Sequence, residues 1–215
     1  MIQRLQRWCW YAMDKQTLIL RENVVNDIVE NIDVNKIKEQ SQLMEQVSVN
    51  RIGIEDAAAL QKIALEIFSE TFKDYNSPEN LQKYLDEKFS IDKLTKELNN
   101  PYSSFYFAQL GEEVIGFLKT NIGNAQTELK DLNAFEVERI YVLPAFHGKK
   151  VGQLLMDKAI EEAGKTTCSY IWLGVWEENY RAIRFYTKNG FSKFDTHIFK
   201  LGDDEQTDWM MKRDI

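Results

Sequence analysis

The run Tyr170-Ile171-Trp172-Leu173-Gly174-Val175-Trp176 constrains the fold more than any other segment, because it is apolar at nearly every position. A strand with one wet face alternates apolar and polar residues, whereas a run without alternation marks a strand covered on both faces. Amphipathic segments stand on either side of it. Ahead of it, Val151, Leu154, Leu155, Ala159 and Ala163 trace one face of a helix. After it, Tyr180 to Lys188 reads as a further helix that stops at Asn189-Gly190. Upstream, Phe135 to Leu143 is a strand whose apolar side chains change parity between Val137 and the pair Ile140/Val142. Strict alternation forbids that change, and a β-bulge permits it; bulges are over-represented beside active sites.

The remaining elements follow from local signals. Phe105 to Leu110 and Val114 to Thr120 flank Gly111-Glu112-Glu113 as a hairpin. Val47 to Ile52 is a short strand and Glu55 to about Phe72 is helical. After the loop around Asn76, Ser77-Pro78-Glu79 starts a helix, with Ser capping and Pro in the first turn, and Glu79 to Asn99 is charged and helical. Two last strands, Phe191 to Leu201 and Thr207 to Arg213, flank the turn Gly202-Asp203-Asp204. Residues 1–52 hold neither Gly nor Pro, and Val25, Ile28, Val29 and Ile32 recur at helical spacing, which predicts a helical extension suited to packing or homodimerisation. The expected organisation is an extension over residues 1–46 and one domain over residues 47–215.

With 215 residues, 44% of them apolar, the chain buries one substantial core. A net charge of −7 argues against nucleic-acid binding, which needs clustered cations, and suits cationic substrates. Cys9 and Cys168 are too few for a disulfide framework and lack metal-ligand spacing. No apolar run approaches the roughly 18 residues of a membrane span. The expectation is a cytoplasmic protein with no metal, no membrane association and a small-molecule partner.

Between the Phe135 to Leu143 strand and the helix beginning at Val151 lies Phe146-His147-Gly148-Lys149-Lys150-Val151-Gly152. A strand, a basic glycine-containing loop and a helix N-terminus together suit an anion, since free amides and the helix dipole both face it. Taken alone, the segment reads equally as an ordinary strand-to-helix turn. It is neither a Walker loop nor the GxGxxG dinucleotide fingerprint.

The stretch Arg139-Ile-Tyr-Val-Leu-Pro-Ala-Phe-His-Gly-Lys-Lys-Val-Gly152, followed about 30 residues on by Asn179-Tyr-Arg-Ala-Ile-Arg-Phe-Tyr-Thr-Lys-Asn-Gly-Phe191, resembles the GNAT N-acetyltransferase superfamily. The resemblance covers about Val47 to the C-terminus. Within the superfamily it looks closest to the bacterial Pai-type spermidine/spermine N-acetyltransferases, through Ile171-Trp-Leu-Gly-Val-Trp-Glu-Glu-Asn179 and His197-Ile-Phe-Lys-Leu-Gly-Asp-Asp-Glu-Gln-Thr-Asp208. It implies an α/β (α+β) fold: a mixed, mostly antiparallel twisted sheet of 6–7 strands with helices on both faces.

The resemblance also implies acetyl-CoA as cosubstrate. Backbone groups of Ile140 and Val142 would run beside its pantetheine arm, amides of Gly148, Lys149, Lys150, Val151 and Gly152 would wrap its pyrophosphate, and Tyr141, His147 and Gln153 complete the candidate cofactor-binding residues. The sequence departs from the family's Q/R-x-x-G-x-G/A pattern twice, with His147 at the Gln/Arg position and Lys150 at the first glycine. If that glycine has positive φ, Lys150 costs about 1–2 kcal/mol of strain. Asn179 matches a side-chain contact to pantetheine, and also reads as a helix N-cap. Tyr186 matches the general acid that protonates the departing thiolate.

Amine attack needs a proton acceptor. Glu138, on the bulged strand, is the first candidate and Glu136 the substitute; each also reads as a solvated strand carboxylate. The Val142 amide is a candidate oxyanion donor. For a cationic acceptor the candidate contacts are Glu70, Asp74, Glu136 and Glu138. His197 reads better as a hydrogen-bonded strand residue than as a base. Trp172, Trp176 and Trp209 read as core, and Asp203, Asp204 and Asp208 as a solvated turn able to attract a cation. The expected reaction is acetyl transfer to a primary amine, of a polyamine such as spermidine; the alternatives are peptide N-acetylation and a non-catalytic acyl-CoA-binding module.

Overall fold

The computed structural model describes residues 42–72, 77–201 and 204–215, and the chain divides between Leu43 and Met44. Most of the expected extension, the candidate Asp74 and the turn residues Gly202 and Asp203 lie outside the described residues. In chain order the elements are β1 (Val47–Arg51), α1 (Ala57–Phe72), α2 (Pro78–Lys88), α3 (Ile91–Leu98), β2 (Ser103–Leu110), β3 (Glu113–Ile122), β4 (Ala134–Val142), α4 (Val151–Ala163), β5 (Tyr170–Trp176), α5 (Tyr180–Lys188), β6 (Ser192–Leu201) and β7 (Asp204–Asp214). The strands form one seven-stranded sheet in the order β1-β2-β3-β4-β5-β7-β6. β4 and β5 run parallel, and the other neighbours are antiparallel. This is the mixed, mostly antiparallel sheet that the resemblance implied.

The local signals have visible causes. The Ser77 hydroxyl accepts the Asn80 amide at 3.2 Å and Pro78 opens α2, so an orphan donor of the first turn is satisfied. The region from Glu79 to Asn99, expected as helical, is two helices rather than one. Phe89 leaves helical geometry at φ −123°, and its ring packs 5.5 Å from that of Phe68 and beneath the Arg139 guanidinium. Burying that ring outweighs continuing the helix.

Alternation along the strands feeds two cores. Leu155, Met156 and Ala159 of α4 pack on one face with Tyr106, Leu118, Phe135 and Val137. Helices α1, α2 and α3 cover the other face, where Leu60, Ile67, Leu85 and Leu94 meet Phe105, Phe107 and Phe117. Each such side chain contributes about 1.5–3 kcal/mol by leaving water. Trp172 is fully buried and donates its indole N–H to Gln126 at 2.7 Å. Trp176 and Trp209, expected in the core, are half-buried; Trp209 packs against the edge of the core and is covered by the Lys193 ammonium at 4.3 Å.

Two irregularities shape the middle of the sheet. Lys119 faces Arg139 while Thr120 faces Val137, so Glu138 is the extra residue of a β-bulge. That slip returns Ile140 and Val142 to the core face of Phe135 and Val137, which explains the parity change. The second irregularity is a parting of strands. β4 and β5 share only three rungs, Ala134 with Tyr170, Phe135 with Ile171 and Glu136 with Trp172. Beyond them β4 stays paired with β3 and β5 with β7, leaving an opening between β4 and β5.

Candidate active site

The loop after β4 is built to present amides. Gly148 (φ +77°) and Lys150 (φ +63°) both take left-handed geometry, and Lys150 is the N-cap of α4. The amides of Gln153 and Leu154 close the first turn onto the Lys150 carbonyl at 2.9 and 3.2 Å. Those of Lys150 and Val151 find no backbone acceptor among the described residues. Free amides, a helix dipole and two lysines fit a diphosphate. Lys150 carries the strain anticipated if this position were left-handed. Gly152 marks where β4, α4 and α5 converge, since a Cβ there would lie 4.0 Å from both Val142 Cγ2 and Phe185 Cζ.

His147 fastens this loop. Its Nε2 lies 2.7 Å from the Val142 carbonyl and its Nδ1 lies 2.9 Å from the Arg181 guanidinium. A guanidinium only donates, so Nδ1 accepts and the Nε2 proton goes to the carbonyl, which fixes a neutral tautomer. Burial, reinforced by the Arg181 charge, lowers its pKa against the opposing pull of the Val142 carbonyl. Arg181 escaped the sequence reading. Its signal was available: a cation in the first turn of a helix opposes the dipole and calls for an anion nearby. The Gln153 side chain exchanges hydrogen bonds with Asn189 at 2.7 and 3.2 Å, tying α4 to the end of α5.

Asn179 accepts the Ala182 amide at 3.1 Å and caps α5. Tyr186, two turns on, is buried with its ring between Phe185 and Phe191. Burial, then the neighbouring Tyr141, pushes its pKa upward, which keeps the phenol protonated.

On the opposite face of the sheet the two candidate carboxylates differ sharply. Glu138 lies 2.6 Å from Lys119 and 3.0 Å from Arg139, and both cations also reach Glu97 of α3, at 2.9 and 2.8 Å. Burial disfavours the Glu138 anion, but Arg139 and Lys119 outweigh it and hold its carboxyl below the usual range. It is therefore neither solvated nor basic. Glu136 is 2% exposed and has no ion-pair partner among the described residues; it accepts from the Thr127 amide and hydroxyl and from Asn121. Burial, aided by the Glu138 charge, overcomes these donors and pushes its pKa up to about 7.

Register places Glu136 beside Trp172, Gly174 opposite Met210 and Trp176 opposite Asp208, all on this face. Asp208, expected in a solvated turn, sits inside β7 between Trp176 and His197 and is half-buried. Burial raises its pKa to about 6 against the His197 charge, with Glu128 and Glu177 adding to the rise. Its own field reaches Tyr84 and Tyr141. Those tyrosines belong to an aromatic wall in which Phe68 stacks on Tyr84 at 4.6 Å and meets Tyr141 at 6.4 Å. Glu70 is exposed on α1.

A splayed parallel pair, a bulged strand and an amide-rich loop at a helix N-terminus define an acyltransferase of the acetyl-CoA-using kind. The acetyltransferase (GNAT) family model matches residues 58–191. The chain belongs to the GNAT family and is an N-acetyltransferase with acetyl-CoA as cosubstrate. It is 39% identical over 167 residues to an uncharacterized N-acetyltransferase in the pepI 3' region of Lactobacillus delbrueckii subsp. lactis, covering 78% of this chain and 96% of the relative. A spermidine N(1)-acetyltransferase of Thermoplasma acidophilum is 30% identical over 158 residues, covering 70% of this chain and 91% of that protein. The crystal structure of PaiA N-acetyltransferase from Thermoplasma acidophilum in complex with coenzyme A superimposes with a TM-score of 0.66 at 27% identity, over 79% of this chain and 99% of that one.

Proposed function

We propose that residues 47–215 transfer the acetyl group of acetyl-CoA to a primary amine of a polyamine such as spermidine, with Glu136 accepting the amine proton and Tyr186 protonating the leaving thiolate. The observation that carries the acid–base assignment is the contrast between two buried side chains. Glu136, with a pKa near 7, exchanges protons at physiological pH, while the raised pKa of Tyr186 keeps its proton available until the thiolate departs. Glu138, the first candidate from sequence, is locked to two cations, so the acceptor role passes to its neighbour.

The division of the sheet supports the direction of transfer. The loop at α4, Arg181, Asn179 and Tyr186 gather on the side of α4 and α5, where they suit the pyrophosphate and pantetheine. The free edge of β4 along Ile140, Tyr141 and Val142 offers backbone groups to the pantetheine arm and the Val142 amide to the developing oxyanion, a donor typically worth about 2.7–4 kcal/mol. Glu136, Asp208 and the aromatic wall lie on the other face. An amine entering there meets the thioester through the opening between β4 and β5.

The polyamine assignment rests on the likeness to the spermidine N(1)-acetyltransferase and on Asp208, a desolvated carboxylate with Glu128, Glu177 and an aromatic wall around it. A long polycation places one ammonium on such a carboxylate while its other end reacts. Thiol release from acetyl-CoA, screened over polyamines, amino acids, aminoglycosides and peptides, tests it. Spermidine is expected to give the highest kcat/KM; a lysine or N-terminal peptide that exceeds it would move the assignment to protein acetylation, and cosubstrate binding without turnover on any amine would leave a binding module.

A further inference from the structure

The ion cluster beside the candidate proton acceptor has a geometry that packing alone does not require. Ser103 of β2 donates its hydroxyl to Asn121 Oδ1 at 2.8 Å, which fixes the orientation of the amide. The two remaining N–H groups of Asn121 go to two different carboxylates, Glu136 Oε2 at 2.7 Å and Glu138 Oε2 at 2.6 Å. One neutral side chain thus joins two acids that would otherwise repel. Glu138 is then gripped by Lys119 and Arg139, and Glu97 of α3 closes the ring by pairing with both. Glu97, Lys119, Glu138 and Arg139 sum to zero, and Lys93 approaches the outer side of Glu97 at 3.7 Å.

We propose that Glu138 is a positioning residue for the transfer: its carboxylate, clamped by Lys119 and Arg139, shares the Asn121 amide with Glu136 and sets how readily Glu136 takes the proton of the acceptor amine. This rests on Glu136 being the proton acceptor. The groups that face Glu136 are Asn121 from β3, Thr127 and, through the Thr127 hydroxyl, Glu128 from the segment before β4, Glu138 from β4 and Trp172 from β5. None is a cation, and Lys119 and Arg139 pair with Glu138 rather than with Glu136. Removing the Glu138 charge takes away a repelling neighbour and leaves Lys119 and Arg139 uncompensated, and both changes favour the Glu136 anion. Removing a cation acts in the opposite sense. The bulge serves this arrangement: Glu138, the extra residue of β4, lies against Lys119 of β3 at a position where regular pairing would oppose it to a single partner.

The test is the pH dependence of kcat/KM for Glu138→Gln and Lys119→Met, with Glu136→Gln as reference, alongside a carbon-13 titration of the Glu136 carboxyl in the same folded proteins. Glu138→Gln is expected to move the acid limb and the titration midpoint down by about one pH unit or more, and Lys119→Met to move both up. A loss of activity with neither midpoint displaced would overturn the proposal, because a purely structural Glu138 lowers rate or stability without moving a proton affinity. If the midpoints move in opposite senses while Glu136→Gln keeps full activity, the coupling stands and only the assignment of Glu136 as acceptor falls. Should Lys119→Met fail to fold, displacement of the carboxyl titration by Glu138→Gln still decides the matter.

Discussion

Glu136 stands opposite Trp172 at the last rung that β4 and β5 share. Immediately beyond that rung the strands part, so the carboxylate sits at the inner end of the opening rather than in a continuous sheet. The buried indole beside it removes water, and that loss of solvent is the largest reason its proton affinity is raised. A single rung thus joins the end of strand pairing to the tuning of an acid.

Tyr186→Phe removes only a hydroxyl from a packed ring. We expect kcat to fall by about 10²–10⁴-fold while acetyl-CoA affinity is retained. Single-turnover acetyl transfer together with calorimetric titration of acetyl-CoA checks both halves; an undiminished chemical step would assign the proton donor elsewhere.

Lys150 offers a separation of charge from strain. Lys150→Ala keeps the left-handed backbone and loses the ammonium, so acetyl-CoA binding should weaken with no gain in stability. Lys150→Gly also loses the ammonium but relieves about 1–2 kcal/mol of strain, less the roughly 0.4–1 kcal/mol by which glycine favours the unfolded chain. Denaturant unfolding of the free protein should therefore rank Gly above Lys, and titrations should rank Lys above both variants.

How far these features were legible in the sequence depends on whether they were local. β5 and α5 have the same ends in the structure as in the apolar run and the helix pattern, because caps and periodicity are written in adjacent residues. The bulge was readable from the parity of Val137 and Ile140, and the left-handed Lys150 from the family's glycine position. What was not readable required partners distant in the chain. Glu138 and Glu136 are two residues apart and chemically identical, yet one meets Lys119, Arg139 and indirectly Glu97, and the other meets Thr127 and Trp172. Asp208 looked like a turn residue because its pairing with Trp176 and His197 appears only once β5, β6 and β7 are assembled.

Gly116 belongs to β3 opposite Val142, and a Cβ there would lie 2.6 Å from the Tyr141 carbonyl oxygen. Backbone cannot yield as a side chain can. Gly116→Ala should therefore push β3 from β4 at the mouth of the loop and destabilise the fold by about 1–3 kcal/mol. Chemical denaturation measures the loss, and a raised KM for acetyl-CoA should accompany it.

Asp208→Asn keeps the shape and removes the charge. KM for spermidine should rise about tenfold or more, with little change for a monoamine, which has no second ammonium to place on Asp208. The salt dependence of spermidine turnover should also flatten, since screening acts on charges that remain. In the unaltered protein the advantage of spermidine over the monoamine should shrink as pH falls through about 6, where Asp208 takes up a proton.

The most direct test of the account is the pH profile of kcat/KM for the unaltered chain and Glu136→Gln with one acceptor. A proton acceptor must be ionised, and the Glu136 pKa is about 7, so the rate should climb as pH rises through that value and level off above it. Glu136→Gln should lower the plateau by about 10²–10⁴-fold and abolish the limb near pH 7. A Gln variant that keeps both the plateau and the limb would contradict the account.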